Sequence, residues 1–255
     1  MINNKKVLVV ITARAGSKGL QGKNSKRLAG KPLIAWPILA AKESRYVDHI
    51  LVSTDCENIA NIAKQYQADV PFIRPKYLAD DQATSFDVLD HAISFLIEQK
   101  NTFDYLVLLE PTSPLTQGQD IDNALETLLK ADNIAKGASA IVGISALEDS
   151  HPAFCLTVNK QGFINPYQDK FKVLRRQDLS SVYRFEGSLY ISDIATLLKE
   201  KGFYHQHTLG YKVAKWQSFE IDDLTDFICI EAIMKNLNEI KAAEMKKPTK
   251  TRAKL

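Results

Sequence analysis

VLVVITARAGSKGLQGKN, residues 7–24, joins a run of apolar residues to a loop rich in glycine and basic side chains. A continuous apolar run such as 7–11 is typical of a strand that is covered on both faces of a parallel sheet. The loop would then leave the carboxyl end of that strand, where open α/β sheets bind ligands. The stretch therefore predicts an α/β fold with a ligand-binding loop after its first strand.

The loop suits a polyphosphate, because glycines let backbone amides approach an anion and basic side chains neutralise it. It is no Walker loop, since Asn24 follows Lys23 where Ser or Thr is required, and it lacks the G-x-G-x-x-G spacing of dinucleotide sites. A flexible basic surface loop is the alternative. The residues concerned are Gly16, Gly19, Gly22, Arg14, Lys18 and Lys23.

Further apolar runs alternate with segments of helical spacing along most of the chain. Strands are predicted at 49–54, 105–110 and 139–145, and helices at 32–43, 57–67, 85–99 and 120–132. This alternation favours a doubly wound, mostly parallel sheet. After residue 146 the pattern changes to short runs with a turn at 159–162, which predicts a hairpin-bearing insertion at about 146–190. A strand near 210–216 and a helix over 223–245 follow, so 1–240 is expected to form a single domain.

The composition is that of an ordinary globular protein. The 255 residues are 45% hydrophobic and 25% charged, with a net charge of +3. No apolar run is long enough for a signal peptide or a membrane span, so the cytoplasm is the expected location. The three cysteines have no C-x-x-C spacing, so neither a disulfide framework nor a zinc site is expected. The basic segment 241–255 is interpreted as a flexible tail and not as a nucleic-acid arm.

A second chemical segment, FEIDDLTDF, occupies residues 219–227. Glu220 and Asp222 alternate across Ile221, so in an extended strand both carboxylates would point to one side. Mg²⁺ prefers one or two carboxylates, with phosphate oxygens and water in its other positions. We therefore expect Glu220 and Asp222 to bind Mg²⁺, whereas Asp223 and Asp226 fit helix N-terminal charges, which is also the alternative for the pair.

Five motifs occur in order along the chain: ARAGSKGLQGKN (13–24), GKPLI (30–34), STD (53–55), RPKYLADD (74–81) and EPTSPL (110–115). In this order they resemble the acylneuraminate cytidylyltransferase family, over most of residues 5–230. The resemblance implies a Rossmann-like fold, CTP and an eight- or nine-carbon 2-keto sugar acid as substrates, and Mg²⁺. It also implies a homodimer in which the inserted segment reaches toward the partner's site.

The resemblance assigns roles to matching positions. Without it, Arg74 would be a surface-loop arginine and Ser85 a helix N-cap. With it, catalysis is expected of Arg14, Lys23 and Asp222. The nucleotide-binding residues are expected to be Ala13, Arg14, Gly16, Ser17, Lys23, Asn24, Arg74, Ala83 and Ser85.

The chain departs from the family pattern where the sugar is expected to bind. Glu110 replaces a Gln, Glu186 in Glu186-Gly187-Ser188 replaces an Asn, and Glu220 replaces an Asp. Carboxylates in place of amides remove donors and add charge near an anionic substrate. A changed sugar is therefore predicted, one that carries amino or acylamino groups as donors to these acids. The predicted sugar-binding residues are Glu110, Arg176, Tyr183 and Glu186.

Two other functions account for part of these features. A nucleotidyltransferase for Kdo-type acids or sugar 1-phosphates would need the same loop and carboxylates. A non-enzymatic nucleotide- or nucleic-acid-binding module would explain the basic tail but not the carboxylate pair. No residue stands out as a general base in any of these readings.

Overall fold

The computed structural model describes residues 1–16, 19–147, 150–167, 175 and 179–246. Its strands are β1 (Val7–Thr12), β2 (Arg27–Leu28), β3 (Lys31–Pro32), β4 (His49–Ser53), β5 (Tyr105–Leu109), β6 (Ala140–Ala146), β7 (Leu156–Val158), β8 (Ile164–Pro166), β9 (Tyr183–Asp193) and β10 (Thr208–Lys212). Its helices are α1 (Ala35–Glu43), α2 (Glu57–Gln65), α3 (Ser85–Glu98), α4 (Gly118–Leu128), α5 (Ala131–Ala135), α6 (Ile194–Glu200), α7 (Leu224–Lys235) and α8 (Leu237–Met245).

Six of these strands form the central sheet, in the order β4-β1-β5-β9-β6-β10. β1 is parallel to both β4 and β5, and β6 is parallel to β10. β9 is antiparallel to its neighbours β5 and β6. The prediction of a doubly wound, mostly parallel α/β sheet is therefore confirmed, with one antiparallel strand near its middle.

Helices cover both faces of the sheet, which explains why its strands are continuously apolar. Alternate residues of β1 point to opposite faces. Val9 packs with α1, α2 and α4 on one face, whereas Val10 packs with α3 and α6 on the other. Both valines are fully buried. Because β1, β4 and β5 are parallel, their carboxyl ends lie at one edge of the sheet.

The predicted hairpin is formed by β7 and β8, which pair with each other outside the central sheet. Its turn is stabilised by Asn159, whose Oδ1 accepts hydrogen bonds from the amides of Gln161 and Phe163. Gly162 has φ of 88°, a conformation that glycine adopts readily. Within the predicted insertion 146–190, the part from Tyr183 onward belongs to β9 and so to the central sheet.

The C-terminal prediction needs two corrections. The helix predicted over 223–245 is two helices, α7 and α8, which meet at Asn236. The strand predicted near 210–216 ends at Lys212, so residues 219–222 are not in a strand. α7 packs on Leu28, Leu33 and Leu115 in a separate apolar cluster, which holds 219–222 against the loop after β1. Among the described residues, no helix has both the length and the apolar character to cross a membrane.

Candidate active site

A cleft of about 490 Å³ opens at the carboxyl ends of β1 and β5. It lies where the sequence placed the ligand-binding loop, at the edge where open α/β sheets bind ligands. Several predicted site residues from distant parts of the chain meet in it. Its lining includes Arg14, Lys23, Asn24, Arg74, Ala83, Ser85, Glu110 and Asp222.

The loop after β1 is packed tightly against the segment that carries Asp222. A Cβ atom on Gly19 would lie 2.2 Å from the backbone oxygen of Asp222, so only glycine fits there. Asn24 is buried, and its Nδ2 donates to the backbone oxygen of Arg14 at 2.9 Å, which closes the loop on itself. The predicted ligand contact Ser17 lies outside the described residues. Gly16 is exposed and does not line the cleft.

Lys23 is the cation most closely tied to the carboxylate segment. Its Nζ donates to the backbone oxygen of Ile221 at 2.7 Å and lies 4.0 Å from Oδ1 of Asp222. Burial lowers the pKa of Lys23, and the charge of Asp222 opposes that shift. The ammonium group is thus held inside the cleft, where its attraction for a phosphate would be only weakly screened by water.

Arg14 also lines the cleft. Its Nη1 is 3.0 Å from Oδ1 of Asp81, in a partly exposed ion pair that a bound polyphosphate would compete with. Ala13, predicted to bind nucleotide, is buried and lies behind the cleft, where its amide donates to the backbone oxygen of Ser53 at 3.0 Å. Its position supports the loop from behind.

Arg74 is a buried cation in the cleft wall, and the surface-loop interpretation of it is wrong. It is 4% exposed, its amide donates to the backbone oxygen of Thr54, and its Nη2 lies 3.9 Å from Oδ1 of Asp55. Burial lowers the pKa of the Arg74 guanidinium, and Asp55 opposes that shift. The Nε of Arg74 is buried without a partner among the described residues, which marks it as a donor available to a ligand.

The start of α3 lies beside Arg74 and carries Ser85. Its N-cap is Thr84, because Thr84 accepts from the amide of Asp87 while Asp87 accepts from the amide of Thr84. The interpretation of Ser85 as the N-cap is therefore wrong. Ser85 is the first helical residue and lines the cleft, as does Ala83, whose amide donates to Asp80 at 3.0 Å.

Glu220 and Asp222 have different surroundings. Glu220 Oε1 accepts from the amide of Gly187 at 2.6 Å, which fastens this segment to β9. The side chain of Asp222 is 85% exposed and lines the cleft. The prediction that both carboxylates point to one side assumed an extended strand. The described residues 219–222 form no strand.

These surroundings bear on how a cation would be held. No group of three or more potential metal-ligating side chains occurs within the described ranges. Mg²⁺ takes only one or two carboxylates when phosphate oxygens and water complete its shell, so a site with Asp222, with or without Glu220, is compatible with this cation. Glu220 has only Oε2 to offer to a cation, since its Oε1 accepts a hydrogen bond from the amide of Gly187.

A second cavity of about 500 Å³ adjoins the first and shares Thr84, Ser85 and Glu110 with it. Most of its walls are apolar or aromatic. No binding role is predicted for these residues from the sequence, because their pattern is that of ordinary core positions. They include Leu89, Leu108, Tyr190, Leu197, Phe203 and Tyr204.

Glu110 lies at the junction of the two cavities, directly after β5. Burial raises the pKa of Glu110 to about 7, and the nearby charge of Glu220 adds to this shift. A carboxyl group with this pKa changes from neutral to negatively charged as the pH rises through about 7. The predicted position of Glu110 beside the sugar is compatible with its place in the lining of both cavities.

Of the other predicted sugar contacts, the two that the structure describes, Glu186 and Tyr183, do not line these cavities. Glu186 is 2% exposed, in a part of β9 where the register with β6 shifts, and its carboxylate accepts from the Ser188 hydroxyl. Burial raises the pKa of Glu186 to about 7. Tyr183 lies at the start of β9, with Nζ of Lys212 4.5 Å from its ring centre. Arg176 is outside the described residues, so its contact with a sugar stays a prediction, as do those of Glu186 and Tyr183.

A basic, glycine-containing loop that faces an exposed carboxylate, in a cleft that opens onto a second cavity, is the arrangement expected of a nucleotidyltransferase. The family model described as cytidylyltransferase matches residues 8–247. The chain therefore belongs to the cytidylyltransferase family, and the predicted resemblance is confirmed.

Curated relatives agree with this assignment. The chain is 35% identical over 236 residues to CMP-N,N'-diacetyllegionaminic acid synthase of Legionella pneumophila, covering 90% of this chain and 96% of the relative. It is 32% identical to pseudaminic acid cytidylyltransferase of Campylobacter jejuni, covering 87% and 93%. It is 37% identical to N-acylneuraminate cytidylyltransferase of Streptococcus agalactiae, covering 88% of this chain and 52% of that longer protein.

Solved structures share the fold at low sequence identity. A CMP:2-keto-3-deoxy-manno-octonic acid synthetase complexed with CTP matches with a TM-score of 0.65 and 16% identity, covering 91% of this chain and 99% of that one. A 4-diphosphocytidyl-2C-methyl-D-erythritol synthase from Anaerococcus prevotii matches with a TM-score of 0.60 and 12% identity, covering 92% and 98%. These likenesses confirm the Rossmann-like α/β class predicted for the fold.

Proposed function

We propose that this protein condenses CTP with a 2-keto sugar acid of the nonulosonate class, giving a CMP-sugar and pyrophosphate. The observation that carries the proposal is the pair of adjoining cavities, one that contains the cations Arg14, Lys23 and Arg74 and one that is largely apolar, which meet at Glu110. Family membership and the names of the relatives point to cytidylyl transfer onto such acids. The cytoplasm, where nucleoside triphosphates are made, is the compartment we propose.

The cleft that contains these three cations would hold the triphosphate. In the proposed reaction the anomeric hydroxyl oxygen of the sugar attacks the α-phosphorus of CTP, the bond to the β-phosphate oxygen breaks, and the hydroxyl proton is released. Lys23 and Arg14 would neutralise the pyrophosphate as negative charge builds up on it. Arg74, with its unpartnered Nε, would bind the base or ribose. Catalysis would come mainly from positioning and charge neutralisation.

We propose Mg²⁺ as the cofactor, held by Asp222 and by the second oxygen of Glu220. When bound, the cation would neutralise charge on the α-phosphate and favour ionisation of the attacking hydroxyl. Lys23, 4.0 Å from Asp222, would keep that carboxylate turned into the cleft. Glu220 would mainly hold the segment in place through the amide of Gly187.

The second cavity would take the sugar acid. Leu89, Leu197 and Phe203 offer apolar walls to methyl groups, while Glu110 and the phenols of Tyr190 and Tyr204 offer polar groups at one side. Such a mixture suits acylamino substituents, which combine a methyl group with an N–H donor. The departures from the family pattern at Glu110 and Glu186 are consistent with a nonulosonate other than the common sialic acid.

The test is pyrophosphate release measured with each of CTP, UTP, ATP and GTP against a panel of sugar acids. The panel would contain N-acetylneuraminic, diacetyllegionaminic, pseudaminic and Kdo-type acids, with sugar 1-phosphates as a further arm. We expect release with CTP and at least one nine-carbon acid. Release only with the Kdo-type acid, or only with a sugar 1-phosphate, would replace the proposed acceptor, and binding of CTP without turnover on any acceptor would favour the non-enzymatic alternative.

We also propose a homodimer, with the hairpin of β7 and β8 as part of its interface. A two-stranded hairpin is marginal by itself, and exposed apolar residues on it indicate a partner surface. A second copy of this chain is the occupant that the family resemblance implies. The exposed apolar residues are Leu156, Val158, Phe163, Ile164 and Tyr167.

A further inference from the structure

The STD motif, residues 53–55, follows β4 directly, and all three of its residues hold parts of the nucleotide cleft. The backbone oxygen of Ser53 accepts from the amide of Ala13, and that of Thr54 accepts from the amide of Arg74. These two contacts use backbone atoms, so side-chain identity matters little to them. Asp55 is different, because it acts through its side chain.

The Asp55 carboxylate joins two elements of the cleft. Its Oδ1 accepts from the amide of Ala15 in the loop after β1 at 2.9 Å. The same oxygen lies 3.9 Å from Nη2 of Arg74. The side chain of Asp55 is 21% exposed and that of Arg74 is 3% exposed, so the attraction between them is only weakly screened.

Arg74 needs such a partner to stay where it is. Its guanidinium is buried close to the positive charge of Arg14, which opposes its own charge. The distance of 3.9 Å between Nη2 of Arg74 and Oδ1 of Asp55 is longer than a hydrogen bond. Asp55 therefore orients the guanidinium by charge attraction and does not use up one of its N–H donors. The Nε of Arg74, a different atom, has no hydrogen-bond partner among the described residues.

We propose that Asp55 is a positioning residue that fixes the position of the phosphate-binding loop relative to Arg74. The loop can then bind the triphosphate of CTP while Arg74 binds its base or ribose. This inference rests on the proposed use of CTP. Asp55 itself does not line the cleft, and it acts through Ala15 and Arg74. Loss of its charge should weaken recognition of the base, whereas loss of the whole side chain should also disturb the loop.

Two substitutions separate these effects. Asp55→Asn has the same shape and still offers an oxygen to the Ala15 amide, which is the oxygen that faces Arg74, but it removes the negative charge. Asp55→Ala removes both contacts. Asp132→Asn, the same chemical change at an exposed position in α5 outside both cavities, is the matched control.

Calorimetric binding of CTP, UTP and inorganic tripolyphosphate, with melting temperatures recorded for every variant, tests the proposal. For Asp55→Asn we expect about tenfold weaker CTP binding and a smaller CTP-to-UTP preference, with tripolyphosphate binding within threefold of wild type. For Asp55→Ala we expect weaker tripolyphosphate binding as well. Wild-type CTP affinity and preference in Asp55→Asn, or an equal loss of CTP and tripolyphosphate affinity, would overturn it. Wild-type protein that binds no CTP would instead refute the proposed function.

Discussion

Lys23 Nζ donates a hydrogen bond to the backbone oxygen of Ile221 at 2.7 Å, across 198 residues of sequence. This bond holds the loop after β1 against the segment that carries Glu220 and Asp222. Ile221 is fully buried, and its own amide donates to the backbone oxygen of Thr112 at 2.8 Å. Three parts of the chain, at residues 23, 112 and 221, are therefore fastened together at one wall of the cleft.

Replacement of Lys23 by Ala should lower turnover by at least a hundredfold, because it removes a partly desolvated positive charge from the leaving pyrophosphate. Lys26→Ala is the matched control, since Lys26 is exposed and does not line the cleft. The measurement is steady-state pyrophosphate release at saturating CTP, together with the melting temperature of each variant. Near-wild-type turnover in a folded Lys23→Ala protein would exclude the role assigned to Lys23.

Asp222→Asn and Glu220→Gln should differ in their response to Mg²⁺. Asp222 is the exposed carboxylate, so its loss should raise the Mg²⁺ concentration for half-maximal activity by about tenfold or more. Gln at position 220 still offers an oxygen to the Gly187 amide, and we expect a smaller shift. Titration of activity with MgCl₂ measures both values. Equal Mg²⁺ requirements for Asp222→Asn and wild type would exclude Asp222 as the main ligand.

The affinity for the sugar acid should fall as the pH rises through about 7. Burial raises the pKa of Glu110 to about 7, so this carboxyl group is neutral below that pH and carries a negative charge above it, next to an anionic substrate. In Glu110→Gln the KM for the sugar acid should stay flat between pH 6 and pH 8, whereas in wild type it should increase several-fold. The exposed Glu98→Gln is the control, and it should keep the wild-type profile.

Glu186→Gln should stabilise the fold at alkaline pH. The pKa of Glu186 is raised to about 7 in the folded state, above the value of about 4.5 expected when unfolded. Destabilisation by this group is absent below the unfolded pKa, grows as pH rises between the two values, and is complete above pH 7. The variant should gain on the order of 3 kcal/mol in free energy of unfolding at pH 8 and little at pH 4.5. Chemical denaturation at both pH values measures this difference, and equal gains would contradict the assignment.

Val158→Asp should shift the protein from dimer to monomer if the hairpin forms an interface. Val158 is 68% exposed, so the substitution costs a monomer little, whereas an unpaired charge buried at an interface is strongly unfavourable. Lys160→Asp, in the turn of the same hairpin, is the control. Light scattering across a dilution series measures the mass. A dimer that persists unchanged in Val158→Asp would place the interface elsewhere.

Much of the fold follows from local sequence patterns. The apolar runs that became β1, β4, β5 and β6 were predicted within two residues of their observed bounds, because strands buried on both faces have an unmistakable pattern. The hairpin was marked by its Asn and Gly turn. The same patterns do not give strand order or direction, so the antiparallel direction of β9 and its place between β5 and β6 were not predicted.

The site was predicted less completely. Arg14 and Lys23 were indicated by the loop, whereas Asn24 and Arg74 depended on family resemblance. No local pattern distinguishes a buried arginine from an exposed one. The difference between Glu220 and Asp222 arises from the Gly187 amide, a contact made by a distant strand. The apolar walls of the second cavity have the sequence pattern of ordinary core residues.

The place of β9 in the sheet has a consequence for how the protein is made. β9 pairs with β5 on one side and with β6 on the other, yet it is translated about forty residues after β6. Until it emerges from the ribosome, the edges of β5 and β6 have no partner between them, and such edges are prone to pair with other chains. Nascent chains should therefore be most prone to misassociation after β6 and before β9 is synthesised, and chaperone binding would be most useful in that interval.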